Sequence, residues 1–212
     1  MNIIEFFLKG GPIMWPLLLA SVVTLSVVVD RVVFLWNAYR ARSSCDLKEV
    51  FFLLNDGQTQ AAATKAKASS DVVARVLGAG LEHADTCFEE AVSCAAAKEL
   101  THYEKGVGVL DTAITLAPLL GLLGTVTGMI SSFGILGASE LDAPTAITGG
   151  IAEALIATAF GLGVAIAALI PMNILNSRKE QLQREIENTA TQAEIILKTR
   201  PVRGQVKQLR AL

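Results

Sequence analysis

Aspartate, glutamate, lysine and arginine are missing altogether from three long stretches of this sequence, residues 10–29, 112–139 and 154–177. Each stretch is about the length a helix needs to cross the ~30 Å hydrocarbon core of a bilayer. Each therefore predicts one span, and together they exclude an ordinary soluble domain. A composition that is 52% hydrophobic and a mean hydropathy of +0.49 point the same way. Concentrated basic charge is also lacking: the net charge is −2, so no nucleic-acid footprint is expected. Histidine is limited to His83 and His102, far from any nucleophile–base or phosphate-loop pattern. No enzyme activity and no metal or other cofactor is expected. Cys45, Cys87 and Cys94 form no CxxC pair and fall in the polar segment between the first two runs; they read as reduced cytosolic thiols.

The first apolar run lies near the start but lacks a small-residue cleavage pattern. It continues past Asp30-Arg31 through Val32, Val33 and Phe34 to Trp36 and Tyr39, residue types suited to a membrane interface. It reads as a retained anchor. Lys and Arg resist translocation, so their positions near span ends report the cytoplasmic side. Arg31, Arg40, Arg42 and Lys48 follow the first run, and Arg178, Lys179 and Arg184 follow the third, whereas residues 137–147 carry neither type. The N-terminus and that short loop are expected outside. The expected organisation is an outer-side N-terminus 1–11, spans 12–36, 109–136 and 147–175, an outer-side loop 137–146, a cytoplasmic helical region 37–108, and a cytoplasmic C-terminal helix with a basic tail, 176–212.

The polar segments also read as helical, giving an all-α integral membrane fold. Asp56-Gly57 separates a helix over 47–54 from an Ala-rich piece over 60–68. Ser70-Asp71 precedes the apolar pattern Val72, Val73, Val76, Leu77, and Thr86 with Glu89 has the spacing of a capping box. From Cys87 there is no Gly or Pro until Gly106, which predicts one rod running into the second span. The third span is expected to continue through 181–197 and stop before Pro201.

Lipid gives helices little hydrophobic reason to associate, so close packing falls to small residues. Ala117, Gly121, Gly124 and Gly128 recur at helical spacing in the second span; Gly150, Ala154, Ala157, Gly161, Ala165 and Ala168 do so in the third. Such stripes also hold passive bundles together. Polar atoms at depth say more, because unpaired ones in hydrocarbon are costly. Thr125 and Thr158 each lie twelve residues from the loop between their helices, about 18 Å at 1.5 Å per residue, near the bilayer middle. Two hydroxyls there either meet a common wet lumen or bond back to their own helices. Glu153, about seven residues into the third span, would cost on the order of 2.5–3.5 kcal/mol if buried ionised. Two readings stand: a proton-accepting or ion-attracting group facing water, or a helix-start acid that snorkels outward. Asp111, at the cytoplasmic side of the second span, reads as an interface charge. Pro118 and Pro171 read as kinks.

Three segments resemble the ExbB/TolQ/MotA family: Gly10-Gly11-Pro12-Ile13-Met14-Trp15-Pro16; Ala117-Pro118-Leu119-Leu120-Gly121-Leu122-Leu123-Gly124-Thr125-Val126 with Gly128-Met129-Ile130; and Gly150-Ile151-Ala152-Glu153-Ala154-Leu155-Ile156-Ala157-Thr158-Ala159 with Gly161-Leu162. The likeness is to ExbB and TolQ above all. It departs at Asp30-Arg31, where the family usually shows Glu-Arg, and at Ala165-Ile166-Ala167-Ala168, where the family carries a proline that here falls at Pro171. The resemblance implies a multi-pass protein of the bacterial inner membrane, surrounded by lipid. It implies a homo-pentameric ring around helices of a single-span ExbD/TolR-like partner, with proton flow energising an envelope-spanning TonB- or TolA-like protein. Thr125, Thr158 and Glu153 match the family's lumen-facing polar set, and Gly121, Gly124, Gly128 and Gly161 are the expected packing positions. A MotA-like stator, which has an extra span, and a passive membrane scaffold are the alternatives.

Overall fold

The computed structural model describes residues 7, 10–40, 44–136 and 143–209. The described residues form seven main helices: α1 Met14–Arg40, α2 Ser44–Asn55, α3 Thr59–Ala68, α4 Val72–Leu81, α5 Phe88–Glu104, α6 Val107–Leu136 and α7 Ala143–Leu209. No strand occurs among them. Three helical runs are long and apolar enough to cross a membrane, Met14–Arg40, Phe88–Gly134 and Thr148–Thr199. The chain is an all-helical membrane protein. Most of the loop expected over 137–146, and the N-terminus before Phe7, lie outside the described residues.

The helices sort into two compact units, Met1–Val33 with Gly106–Ile174, and Phe34–Lys105 with Leu175–Leu212. The first contains most of α1, α6 and the start of α7. Its core is small, with Met14, Leu17, Ala117, Ala157 and Val164 closed in by Ile13, Leu120 and Phe160. Its large apolar side chains point outward instead: Leu19 is 69% exposed, Ile130 66% and Leu155 63%. This is the pattern expected when the solvent is hydrocarbon, which leaves little to gain from burying leucine and makes backbone satisfaction the main constraint.

The second unit has the inverse pattern of a water-soluble bundle. Val50, Leu54, Ala62, Ala66, Val73, Leu77, Phe88, Leu182 and Ile186 share one buried cluster. Asp71 caps α4 by accepting from the Val73 N–H at 2.8 Å, as its position before the apolar pattern suggested. The Arg75 guanidinium donates to both Glu99 carboxylate oxygens at 3.1 and 3.2 Å, tying α4 to α5. Lys179 on α7 donates to Glu104 on α5. Near the start of α5 the Glu89 carboxyl is raised above the usual carboxylate range by its hydrogen bond to Glu194 and the repulsion between them. Glu194 is lowered by hydrogen bonds from Lys198 and Glu89, and Lys198 is raised by Glu194.

Three local expectations differ from the structure. The second span and α5 are not one rod: α5 ends at Glu104, Lys105 turns out of the helix with ψ 130°, and Gly106 takes φ +77° before α6 begins. The third span continues as one helix through residues 181–197. It does not stop before Pro201 but runs to Leu209, with the Leu197 carbonyl deprived of its usual donor. The capping box at Thr86 is not formed; Cys87 occupies the N-cap without a side-chain capping bond, and the Thr86 hydroxyl lies within reach of the His83 carbonyl at 3.4 Å and the Cys87 sulfur at 3.6 Å. Cys87 and Cys94 are free and exposed; the Cys45 side chain lies outside the described residues.

Gly106 carries a testable consequence. A Cβ there would be forced into the left-handed region, at about 1–2 kcal/mol, and would meet Val27 Cγ1 at 2.8 Å. Gly108, two residues on, has nothing within 4 Å of its own added Cβ. Gly106→Ala is expected to lower the melting temperature in detergent and Gly108→Ala to leave it unchanged or raise it, read by circular dichroism. Beside Gly106 the buried Arg31 side chain donates from Nε to Asp30 at 2.9 Å, so this basic group at the end of the first span is paired.

Candidate functional site

The candidate site is the seam where α6 and the first part of α7 run antiparallel. At one level a Cβ on Gly161 would stand 2.4 Å from the Ala117 carbonyl oxygen. Moving along, a Cβ on Gly121 would stand 2.9 Å from the Thr158 Cα, one on Gly124 2.6 Å from the Ala157 Cβ, and one on Gly128 3.1 Å from the Gly150 oxygen and 3.2 Å from the Ala154 Cβ. All four glycines singled out from the sequence thus lie on this one seam, where backbones meet almost without side chains between them. Ser132 extends it. Its hydroxyl is buried and donates to the Gly128 carbonyl at 2.8 Å, and its Oγ occupies the space a Gly150 Cβ would need. Sequence reasoning passed over Ser132, although it falls four residues after Gly128 and so continues the same face.

The polar side chains take different places. Thr158 is half-buried and donates across the seam to the Gly121 carbonyl at 3.0 Å, with the Ala154 carbonyl of its own helix at 3.3 Å as a second acceptor. Thr125, one turn beyond Gly121, donates to the Leu122 carbonyl of its own helix at 2.6 Å. Glu153 is half-buried too. Its carboxylate packs against Gly11, in the turn that leads into α1, where a Cβ would fall 1.7 Å from Oε1. The hydrogen bonds of the two threonines run to backbone carbonyls and not to Glu153 or to each other. Asp111 is exposed near the start of α6, and α6 and α7 continue through Pro118 and Pro171 without a break.

Chemically, this arrangement offers one carboxyl group and one hydroxyl with a choice of acceptors. A hydroxyl that donates to a carbonyl keeps both lone pairs for a water or a protonated acid. Glu153 supplies the carboxyl, held against Gly11. No group of three or more His, Cys, Asp or Glu side chains that could hold a metal ion occurs among the described residues.

The model of the MotA/TolQ/ExbB proton channel family matches residues 68–188, more than half of the chain. The chain belongs to this family. Its match takes in α6 and the membrane part of α7 and begins in the polar region, where no quoted motif lies. Among individual relatives, the chain is 35% identical to the Synechocystis ExbB-like protein 1 over 202 residues, 92% of this chain and 79% of that protein. It is 33% identical over 142 residues to the biopolymer transport protein ExbB of Xanthomonas campestris, 66% of this chain and 54% of that one. It is 36% identical over 98 residues to the Tol-Pal system protein TolQ of Haemophilus influenzae, 46% of this chain and 43% of that protein. The ExbB/TolQ branch indicated by the sequence motifs is the one these relatives represent.

Proposed function

We propose that this chain is the ring-forming subunit of a proton-motive-force-driven motor in a bacterial inner membrane, of the ExbB/TolQ type. Five copies surround the membrane helices of a single-span ExbD/TolR-like partner, with the N-terminus and the α6–α7 loop outside and the second unit in the cytoplasm. Proton flow past the ring turns or shifts the enclosed helices, and an envelope-spanning TonB- or TolA-like protein carries the force outward. The observation that carries this reading is the half-buried Glu153 carboxyl on the same membrane helix as Thr158, whose hydroxyl bridges to α6. Family membership supports it. One elementary charge crossing 100 mV releases about 2.3 kcal/mol, enough to bias a helix between equivalent positions around a ring.

The passive-scaffold reading is favoured by one observation, that both threonine hydroxyls are bonded to backbone carbonyls. Proteoliposomes holding the chain with its single-span partner, and a dye reporting internal pH, separate the two. An interhelical bond of this kind contributes about 0.6 kcal/mol in membranes, roughly threefold in an equilibrium. Thr158→Val is expected to reduce proton flux well beyond that factor and Thr158→Ser to retain it. Flux from Thr158→Val equal to that of the native protein would favour the scaffold.

A further inference from the structure

The turn before α1 is built around glycine for a reason that the packing of α1 alone does not supply. Gly11 has φ +74°, and the three atoms nearest to its absent Cβ all belong to Glu153: Oε1 at 1.7 Å, Cδ at 2.7 Å and Cγ at 3.2 Å. The carboxyl fills the place where any other residue would carry its side chain. Gly10 makes the neighbouring approach, its Cβ position lying 3.1 Å from Ile156 Cγ2 and 2.6 Å from Met14 Cγ. Two adjacent glycines therefore seat the chain on one turn of α7, from Glu153 to Ile156. The seat is anchored, since Met14 and Leu17 are both fully buried in a cluster that includes Ala157.

We propose that Gly11 is a positioning residue for the Glu153 carboxyl, fixing its place by leaving a side-chain-sized vacancy that the acid occupies. The proposal builds on the role given to Glu153 above and adds a second chain segment to it. The beginning of α1 also brings the positive end of a helix to the same turn, so a carboxylate held there meets partial positive charge. An added Cβ at residue 11 pushes the carboxyl out of this seat, whereas shortening the acid by one methylene makes room for that Cβ.

The test is a cycle between the two positions in the full chain, with Gly11→Ala, Glu153→Asp and the pair combined. Two readouts are taken in detergent: the melting temperature, and the rate at which a hydrophobic carbodiimide modifies residue 153, followed by mass spectrometry. Gly11→Ala bears the left-handed backbone strain in both backgrounds, so that contribution cancels and the collision alone remains. The expected result is that Gly11→Ala lowers the melting temperature and raises modification severalfold beside Glu153, and does much less of both beside Asp. Should Gly11→Ala fail to fold, recovery of a melting transition in the combined variant supports the proposal, and no recovery overturns it. Equal effects in both backgrounds overturn it as well. The outcome is independent of the motor reading: a cycle that closes without coupling removes Gly11 while leaving Glu153→Gln flux to judge the motor, and coupling with normal Glu153→Gln flux does the reverse.

Discussion

Replacing Glu153 with Gln is expected to reduce partner-dependent proton flux by about a hundredfold or more, the low end of what a positioned proton-transfer group contributes. Gln preserves nearly all of the shape that fits against Gly11 and loses only the exchangeable proton. Stability should therefore hold while flux fails. Glu153→Asp keeps the proton but draws it back from the Gly11 seat, so its flux is expected to fall between the native protein and the Gln variant. The ordering matters more than any single value, because a scaffold whose acid merely snorkels to water would show equal flux for all three. Flux is read as dye-reported acidification under an imposed potential, with the melting temperature recorded for each variant to separate misfolding from lost chemistry.

The parts of this molecule that were legible in its sequence are those governed by local rules. Charge-free runs announced the apolar helices because hydrocarbon tolerates little else, and small residues at helical spacing pointed to Gly121, Gly124, Gly128 and Gly161, which line the seam in the structure. Asp71 was legible as a cap because capping needs only a side chain two residues from an N–H. Gly106 was ambiguous in the sequence: a glycine between two helical patterns serves either as a tolerated interior residue or as a left-handed hinge, and the packing of Val27 and Arg31 around it goes with the second. Thr86 lost its expected cap because Cys87 takes the N-cap position, a shift of one residue that spacing alone does not reveal. Periodicity within one helix says nothing about how Gly11 meets Glu153 or where Thr158 donates, since both contacts join segments distant in the chain. The seam's outer face was no more legible, because a lipid-facing leucine and one facing a neighbouring subunit look alike in sequence and in one protomer.

That last ambiguity gives the seam glycines a second use. Gly161→Ala is expected to destabilise the α6–α7 pair by about 1–3 kcal/mol, as overpacking does, because the new Cβ would meet the Ala117 backbone carbonyl at 2.4 Å and the Gly121 Cα at 3.4 Å. These are backbone atoms, so no flexible side chain can swing aside, and the helices must separate at the level where Thr158 bonds to Gly121. Stability and flux should fall together. Gly163→Ala, two residues along the same helix, has nothing within 4 Å and should gain about 0.5–1 kcal/mol of helix preference. Melting of the detergent-solubilised chain checks both. If Gly163→Ala preserves this melting behaviour yet lowers flux in the reconstituted complex, then another chain packs against that face of α7, as a ring around a partner helix requires. If Gly161→Ala melts like the native protein, the close approach of α6 and α7 does not hold this unit together.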